Sequence, residues 1–261
     1  MPAMNRQAQM PDWTLISLRP RGQHAPLRRA AHAAGAQLVA LSPWRLRARD
    51  DAPTAADLAR ALDADRVVFS SPAAVHAAAR LQALDAAPAG TWLAVGAGTA
   101  AALHRHGARQ VLAPARMDSE GLLALPALDD LHGLRAGLVT APGGRGIIAS
   151  TLVARGAQLQ RANVYARQPL PLPARTLQRL RASPRPWALA LSSGEALALL
   201  LAQLPGDLQA PLRQAWVVAA SARLAEQASQ AGFPRVCLAE GPLPRQLVQA
   251  AHTAIITSAS T

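Results

Sequence analysis

The sequence predicts an α/β protein built on parallel sheets and organised as two similar domains. Three observations carry this. Short, continuous apolar runs alternate with alanine-rich segments at helical spacing. Blocks from the first half recur in the second. Several apolar runs end in the same glycine- and hydroxyl-rich turns.

The apolar runs are Trp13–Leu18, Gln37–Leu41, Arg66–Ser70, Thr91–Val95, Gln110–Ala113, Ala136–Thr140, Gln158–Val164, Trp187–Leu191, Ala215–Ala219 and Arg235–Leu238. Continuous rather than alternating apolar character marks strands covered on both faces, and intervening helices supply the cover. "VVFSSPAAVHAAARL" (Val67–Leu81) resembles "LALSSGEALALLLAQL" (Leu189–Leu204), and "WLAVGAGTAAALHRHGARQV" resembles "WVVAASARLAEQASQAGFPRV". "LISLRPRGQ" (Leu15–Gln23) resembles "LVTAPGGRG" (Leu138–Gly146), giving two copies of one α/β unit, each in the order A-B-C. Two proline-marked stretches, Leu41–Thr54 and Tyr165–Thr176, read as linkers. If both cross between domains, one domain is central and the other is built from both chain ends. Two contiguous halves are the alternative, and the repeat does not choose between them.

Composition narrows the function. The chain has 261 residues, half of them hydrophobic, with a net charge of +12. The excess favours anionic partners. The arginines are spread along the whole chain and aromatics make up only 3%, which argues against a base-stacking nucleic-acid surface. There is no lysine, so Schiff-base chemistry and the Walker A loop are excluded. The single cysteine, Cys237, excludes an internal disulfide framework. No apolar run is long enough to span a bilayer, and "MPAMNRQAQMPDW" lacks an apolar leader core. A soluble cytoplasmic protein is expected.

The turns Ser70-Ser71-Pro72, Gly96-Ala97-Gly98-Thr99, Gly143-Gly144-Arg145, Ser192-Ser193-Gly194 and Ala220-Ser221 each follow a strand and precede a helix. In open α/β sheets ligands bind at the carboxyl ends of strands, and helix N-termini favour anions. Ser and Thr there also serve as N-caps, worth about 1 kcal/mol each. Five such turns on two domains favour an anion site. Gly96-x-Gly98-x-x-Ala101 approaches the dinucleotide fingerprint, but the next strand ends in Ala113-Pro114 with no acidic residue for a ribose. It reads as an anion-cradling turn. The histidines show no metal-ligand spacing, and neither serine turn has the nucleophile-elbow pattern. Tyr165, the only tyrosine, closes "LQRANVY"; on these grounds it is equally a packing or a site residue.

The series "LISLRP", "DRVVFSSPAAV", "AVGAGTAAAL", "DSEGLL", "GGRGIIASTLVARGAQL…VYAR", "LALSSGEAL" and "VVAASARLAEQASQAGF" resembles the uroporphyrinogen-III synthase family from about Trp13 to Ala251. The resemblance implies two flavodoxin-like α/β domains with parallel sheets, joined by a two-stranded connector. Residues 1–44 and 170–261 would form the discontinuous domain and 50–165 the other, with 45–49 and 166–169 as connectors. It implies cyclisation of hydroxymethylbilane to uroporphyrinogen III with inversion of ring D and loss of water. The substrate, with eight carboxylates, would lie between the domains. No metal or organic cofactor is implied. A monomer is expected, in transient contact with the preceding synthase, with no nucleic-acid or membrane partner.

Residue by residue, Tyr165 takes the position of the family tyrosine that assists hydroxyl departure. Substrate contacts are expected from Arg19, Ser70, Ser71, Gly96, Gly98, Thr99, Gly143, Gly144, Arg145, Ser192, Ser193 and Ser221. Leu18, Ala73 and Ala97 depart from the family pattern. The alternatives are a non-catalytic anion-binding protein and a Rossmann-type oxidoreductase.

Overall fold

The computed structural model describes residues 12–85, 90–143 and 146–259. The expected contacts of Gly144 and Arg145, and most of the N-terminal stretch read as lacking a leader, lie outside the described residues. The chain runs through β1 (Trp13–Ser17), α1 (Ala25–Ala33), β2 (Ala36–Ala40), β3 (Trp44–Ala48), α2 (Ala52–Leu62), β4 (Arg66–Phe69), α3 (Pro72–Leu81), β5 (Thr91–Ala94), α4 (Ala97–Arg105) and α5 (Ser119–Leu123). It continues through β6 (Arg135–Thr140), α6 (Ile147–Ala154), β7 (Gln158–Asn163), β8 (Tyr165–Pro169), α7 (Ala174–Arg181), β9 (Trp187–Leu191), α8 (Gly194–Gln203), α9 (Gly206–Arg213), β10 (Trp216–Ala219), α10 (Ala222–Gln230), β11 (Val236–Leu238) and α11 (Pro244–Ala259).

The residues fall into two compact units, Leu46–Arg167 and the remainder from both sides of it. The discontinuous unit holds a parallel sheet in the order β2-β1-β9-β10-β11. Two of its interior strands, WTLIS and WALAL, are buried at every position. That burial on both faces is why they are continuously apolar. The one hydroxyl within β1's middle, Thr14, donates to the Pro184 carbonyl at 2.7 Å and so is satisfied.

The other unit holds the parallel order β7-β6-β4-β5. A single parallel bridge from Leu93 to Leu112 stands where a fifth strand would lie. With that bridge included, the central sheet reads 3-2-1-4-5 in its own chain order, which is the flavodoxin order 2-1-3-4-5 of the other sheet circularly permuted. In the central unit the chain enters at the third position. The expected strand Gln110–Ala113 is reduced to this bridge: it is at the sheet edge, and Pro114 denies it further pairing. Gly137 on β6 has a packing reason. A Cβ there would overlap the Ala61 carbonyl oxygen, so its absence lets α2 lie close on the sheet.

The two stretches read as linkers each carry a strand. β3 and β8 form a two-stranded sheet. Hydrogen bonds from Leu170 N to Pro43 O (2.8 Å) and from Arg49 N to Val164 O (2.9 Å) show that they run antiparallel. Tyr165 therefore does not close the preceding strand but opens β8. Val164 is the point of exchange. Its N–H bonds Thr140 O in the parallel sheet (3.0 Å), while its carbonyl accepts from Arg49 in the ribbon.

Candidate active site

A cavity of ≈190 Å³ lies at the carboxyl end of the central unit's sheet, lined by Ser70, Ser71, Thr140, Gly143, Arg161, Tyr165 and Arg167, among others. Its place follows from topology. β4 and β6 are adjacent parallel strands, so the turns after them open side by side. The cavity opens to solvent, so it can receive one arm of a larger ligand.

Each polar group is held from a specific element. Ser71 caps α3, its oxygen accepting from Ala74 N at 3.1 Å. The same oxygen is 3.1 Å from the Tyr165 hydroxyl. The tyrosine ring is packed in the core, with 5% exposure, so the phenol is fixed at the cavity wall. Ser70 donates to Thr140 at 2.8 Å, pairing the ends of β4 and β6. Also lining the cavity, Gly146, at φ +70°, precedes α6 without a side-chain cap. As in any helix, the first-turn N–H groups of Ile147, Ile148 and Ala149 have no intrahelical acceptors, and these residues line the cavity.

Two arginines add charge. Arg161 is braced by Asn163 Oδ1 and the Ala141 carbonyl, each at 3.1 Å. Both acceptors are neutral, so its charge has no carboxylate counterpart among the described residues. Arg167 donates to the Pro142 carbonyl at 3.3 Å. Phenol, hydroxyls, first-turn helix N–H groups and guanidinium thus line one small space. Such a set binds a carboxylate and can donate to a leaving oxygen.

The structure brings together Ser70, Ser71, Gly143 and Tyr165 from the expected set. Gly96, Gly98 and Thr99 stand apart from this cavity at the β5–α4 turn, with Thr99 buried. A Cβ on Gly98 would be 3.7 Å from Pro72 Cγ, so that turn lies next to the start of α3. In the discontinuous unit Ser193 caps α8 by accepting from Ala196 N at 3.3 Å. Ser192 and Ser221 are exposed, and Ser221 precedes α10 without a side-chain cap bond.

Arg19 follows β1, half-buried, in the same unit as those serines. Burial pulls its pKa below the ordinary arginine range. Sequence reasoning missed Thr140, Arg161 and Arg167. Thr140 carried a signal, a hydroxyl at a strand's carboxyl end, but the two arginines looked like any other in an arginine-rich chain.

Two parallel sheets of flavodoxin type, with polar turns and uncapped or hydroxyl-capped helices at their carboxyl ends, define a doubly wound α/β protein whose strand-end turns suit anions. The family model described as uroporphyrinogen-III synthase HemD matches residues 25–249, and the chain belongs to that family. The uroporphyrinogen-III synthase of Escherichia coli (strain K12) is 42% identical over 77 residues, 29% of this chain and 31% of that protein. That of Salmonella typhimurium is 34% identical over 120 residues, 44% of this chain and 49% of that protein. The chain thus spans about a third to a half of the length of these curated relatives.

Among solved structures, a mutant uroporphyrinogen III synthase from Thermus thermophilus matches with a TM-score of 0.60 at 18% identity, covering 94% of this chain and 99% of that one. The Helicobacter pylori uroporphyrinogen-III synthetase matches at 0.59 and 15% identity, covering 95% and 99%. At these identities the likeness shows the fold.

Proposed function

We propose that the protein is a uroporphyrinogen-III synthase, cyclising hydroxymethylbilane to uroporphyrinogen III with ring D inversion and loss of water. Family membership supports the reaction. The observation that carries it to particular residues is the Tyr165 phenol, core-packed and hydrogen-bonded to Ser71 in a cavity flanked by Arg161 and Arg167.

In this reading the phenol donates to the substrate hydroxyl as it leaves, and the bond strengthens as negative charge develops on that oxygen. The remaining cation is the azafulvene. Attack by the substituted carbon of ring D gives a spiro intermediate, and fragmentation and recombination deliver the inverted ring. Arg161, Arg167 and the α6 N–H groups hold a carboxylate arm, while the turns at Ser70, Ser71, Gly96, Gly98, Thr99, Gly143, Ser192, Ser193 and Ser221 supply further anion contacts. Holding the bilane curled is the main catalytic task. We assign the ends of the chain, up to about residue 44 and from about 170, to one domain and 50–165 to the second. The protein acts as a cytoplasmic monomer on this small molecule. Among the described residues no helix is long and apolar enough to cross a membrane.

The test is turnover of bilane generated in situ by its own synthase, with the product isomer resolved. The type III isomer should dominate. Type I product at the uncatalysed rate would reject the reading, because the bilane closes spontaneously without inversion.

A further inference from the structure

Arg19 is followed by a cluster that no catalytic step uses. Its guanidinium Nε is buried with no hydrogen-bond partner, and no carboxylate pairs with it among the described residues. An unpartnered buried donor on a half-buried cation is costly unless a ligand supplies an acceptor. Its backbone, by contrast, is held at both ends. Ser42 Oγ donates to the Arg19 carbonyl at 2.9 Å. The Arg19 N–H reaches Ser17 Oγ at a long 3.5 Å. His24 joins the two serines, with Nδ1 2.9 Å from Ser17 Oγ and Nε2 2.6 Å from Ser42 Oγ.

Proton accounting gives this circuit one direction. Ser42 spends its hydrogen on Arg19 O, so its oxygen accepts from His24 Nε2–H. Nδ1 is then unprotonated and accepts from the Ser17 hydroxyl, whose oxygen in turn takes the Arg19 N–H. The loop closes through a neutral imidazole. Ser17 and His24 are both buried, at 0% and 8% exposure. Burial foremost, then the facing charges of Arg28 and Arg19, bring the His24 pKa down to about 4. The imidazole is therefore neutral wherever the circuit must hold.

We infer that Ser17, His24 and Ser42 are positioning residues that fix the backbone of Arg19 for the substrate carboxylate expected there. The identity of the ligand as the tetrapyrrole rests on the synthase reading; the circuit itself does not.

A double-mutant cycle tests this with two readouts: binding of uroporphyrin, an octacarboxylate, followed by tryptophan fluorescence quenching, and KM and kcat for the bilane. Arg19→Gln should weaken uroporphyrin binding and raise KM by roughly tenfold or more, the order expected from losing a hydrogen bond to a charged group. Ser42→Ala should raise both by several-fold, on the order of a lost neutral hydrogen bond, with little change in kcat. In the Arg19→Gln background the Ser42→Ala penalty should vanish, because the serine acts through the arginine. His24→Gln is the companion variant, with thermal unfolding confirming that each protein is folded. Additive penalties, or unchanged binding in Arg19→Gln, would overturn the proposal. Wild-type protein that binds uroporphyrin but leaves bilane uncatalysed would reject the synthase reading alone, and the cycle on uroporphyrin binding would still decide the circuit.

Discussion

Tyr165 sits where a single atom separates packing from chemistry. Its ring belongs to the core of the central unit, while its hydroxyl meets Ser71 at the cavity. Losing one donor at a preorganised site costs about 2.7–4 kcal/mol. The substrate hydroxyl also leaves readily without help, so Tyr165→Phe should slow uroporphyrinogen III formation by about tenfold, equivalent to ~1.4 kcal/mol. Since Phe keeps the ring, thermal unfolding should barely shift; an unchanged rate would reassign Tyr165 to packing.

His24 offers a second test at the same scale. Its folded pKa of about 4 is below the ordinary 6.5, so the unfolded chain binds the proton more readily. The stability this neutral histidine contributes is full above about pH 6.5 and is lost as pH falls toward 4, by at most about 1.4 kcal/mol per unit. The melting temperature of His24→Gln should therefore fall less steeply than that of the wild type between pH 6.5 and 4. Parallel curves would show that His24 is not held neutral by the fold.

The elements show which local signals were legible. β1 and β9 were readable because both of their faces are buried, which leaves an unbroken apolar run. β3 was not, although WRLRA alternates in burial as a half-covered strand does. Its two exposed arginines and the preceding Pro43 resemble a linker. β8 failed for a related reason: it follows β7 after one residue, and only the exchange of partners at Val164 ends one strand and starts the other.

Gly137 belongs to this scale as well. The close seat of α2 on β6 leaves no space for a side chain there. Gly137→Ala should cost about 1–3 kcal/mol as the helix is pushed away, read as a lower urea midpoint. A midpoint equal to wild type would mean that α2 shifts without loss.

For the whole molecule, charge is the simplest lever. The net charge of +12 includes arginines at the cavity as well as many spread over the surface. Exposed ion pairs are screened beyond about 10 Å at 0.1 M salt, whereas contacts in a closed site are screened less. KM for the bilane should rise with ionic strength and kcat should change little. A KM indifferent to molar salt would make the arginines surface charge only.

The sequence alone determined the class of fold, the repeat and the polar turns. Each is a local property: buried parallel strands must be apolar, and turns before helices need glycine or a capping hydroxyl. Partner choice is not local. The A blocks, at β1 and β6, face two equivalent B blocks, at β4 and β9, and nothing in a short window distinguishes them. Tertiary packing pairs β1 with β9 and β6 with β4, so each sheet draws on both repeats. The same holds for the circuit around Arg19. His24 is 7 residues from Ser17 and 18 from Ser42 along the chain. Only the folded sheet, with β1 and β2 side by side, brings the three within hydrogen-bond reach.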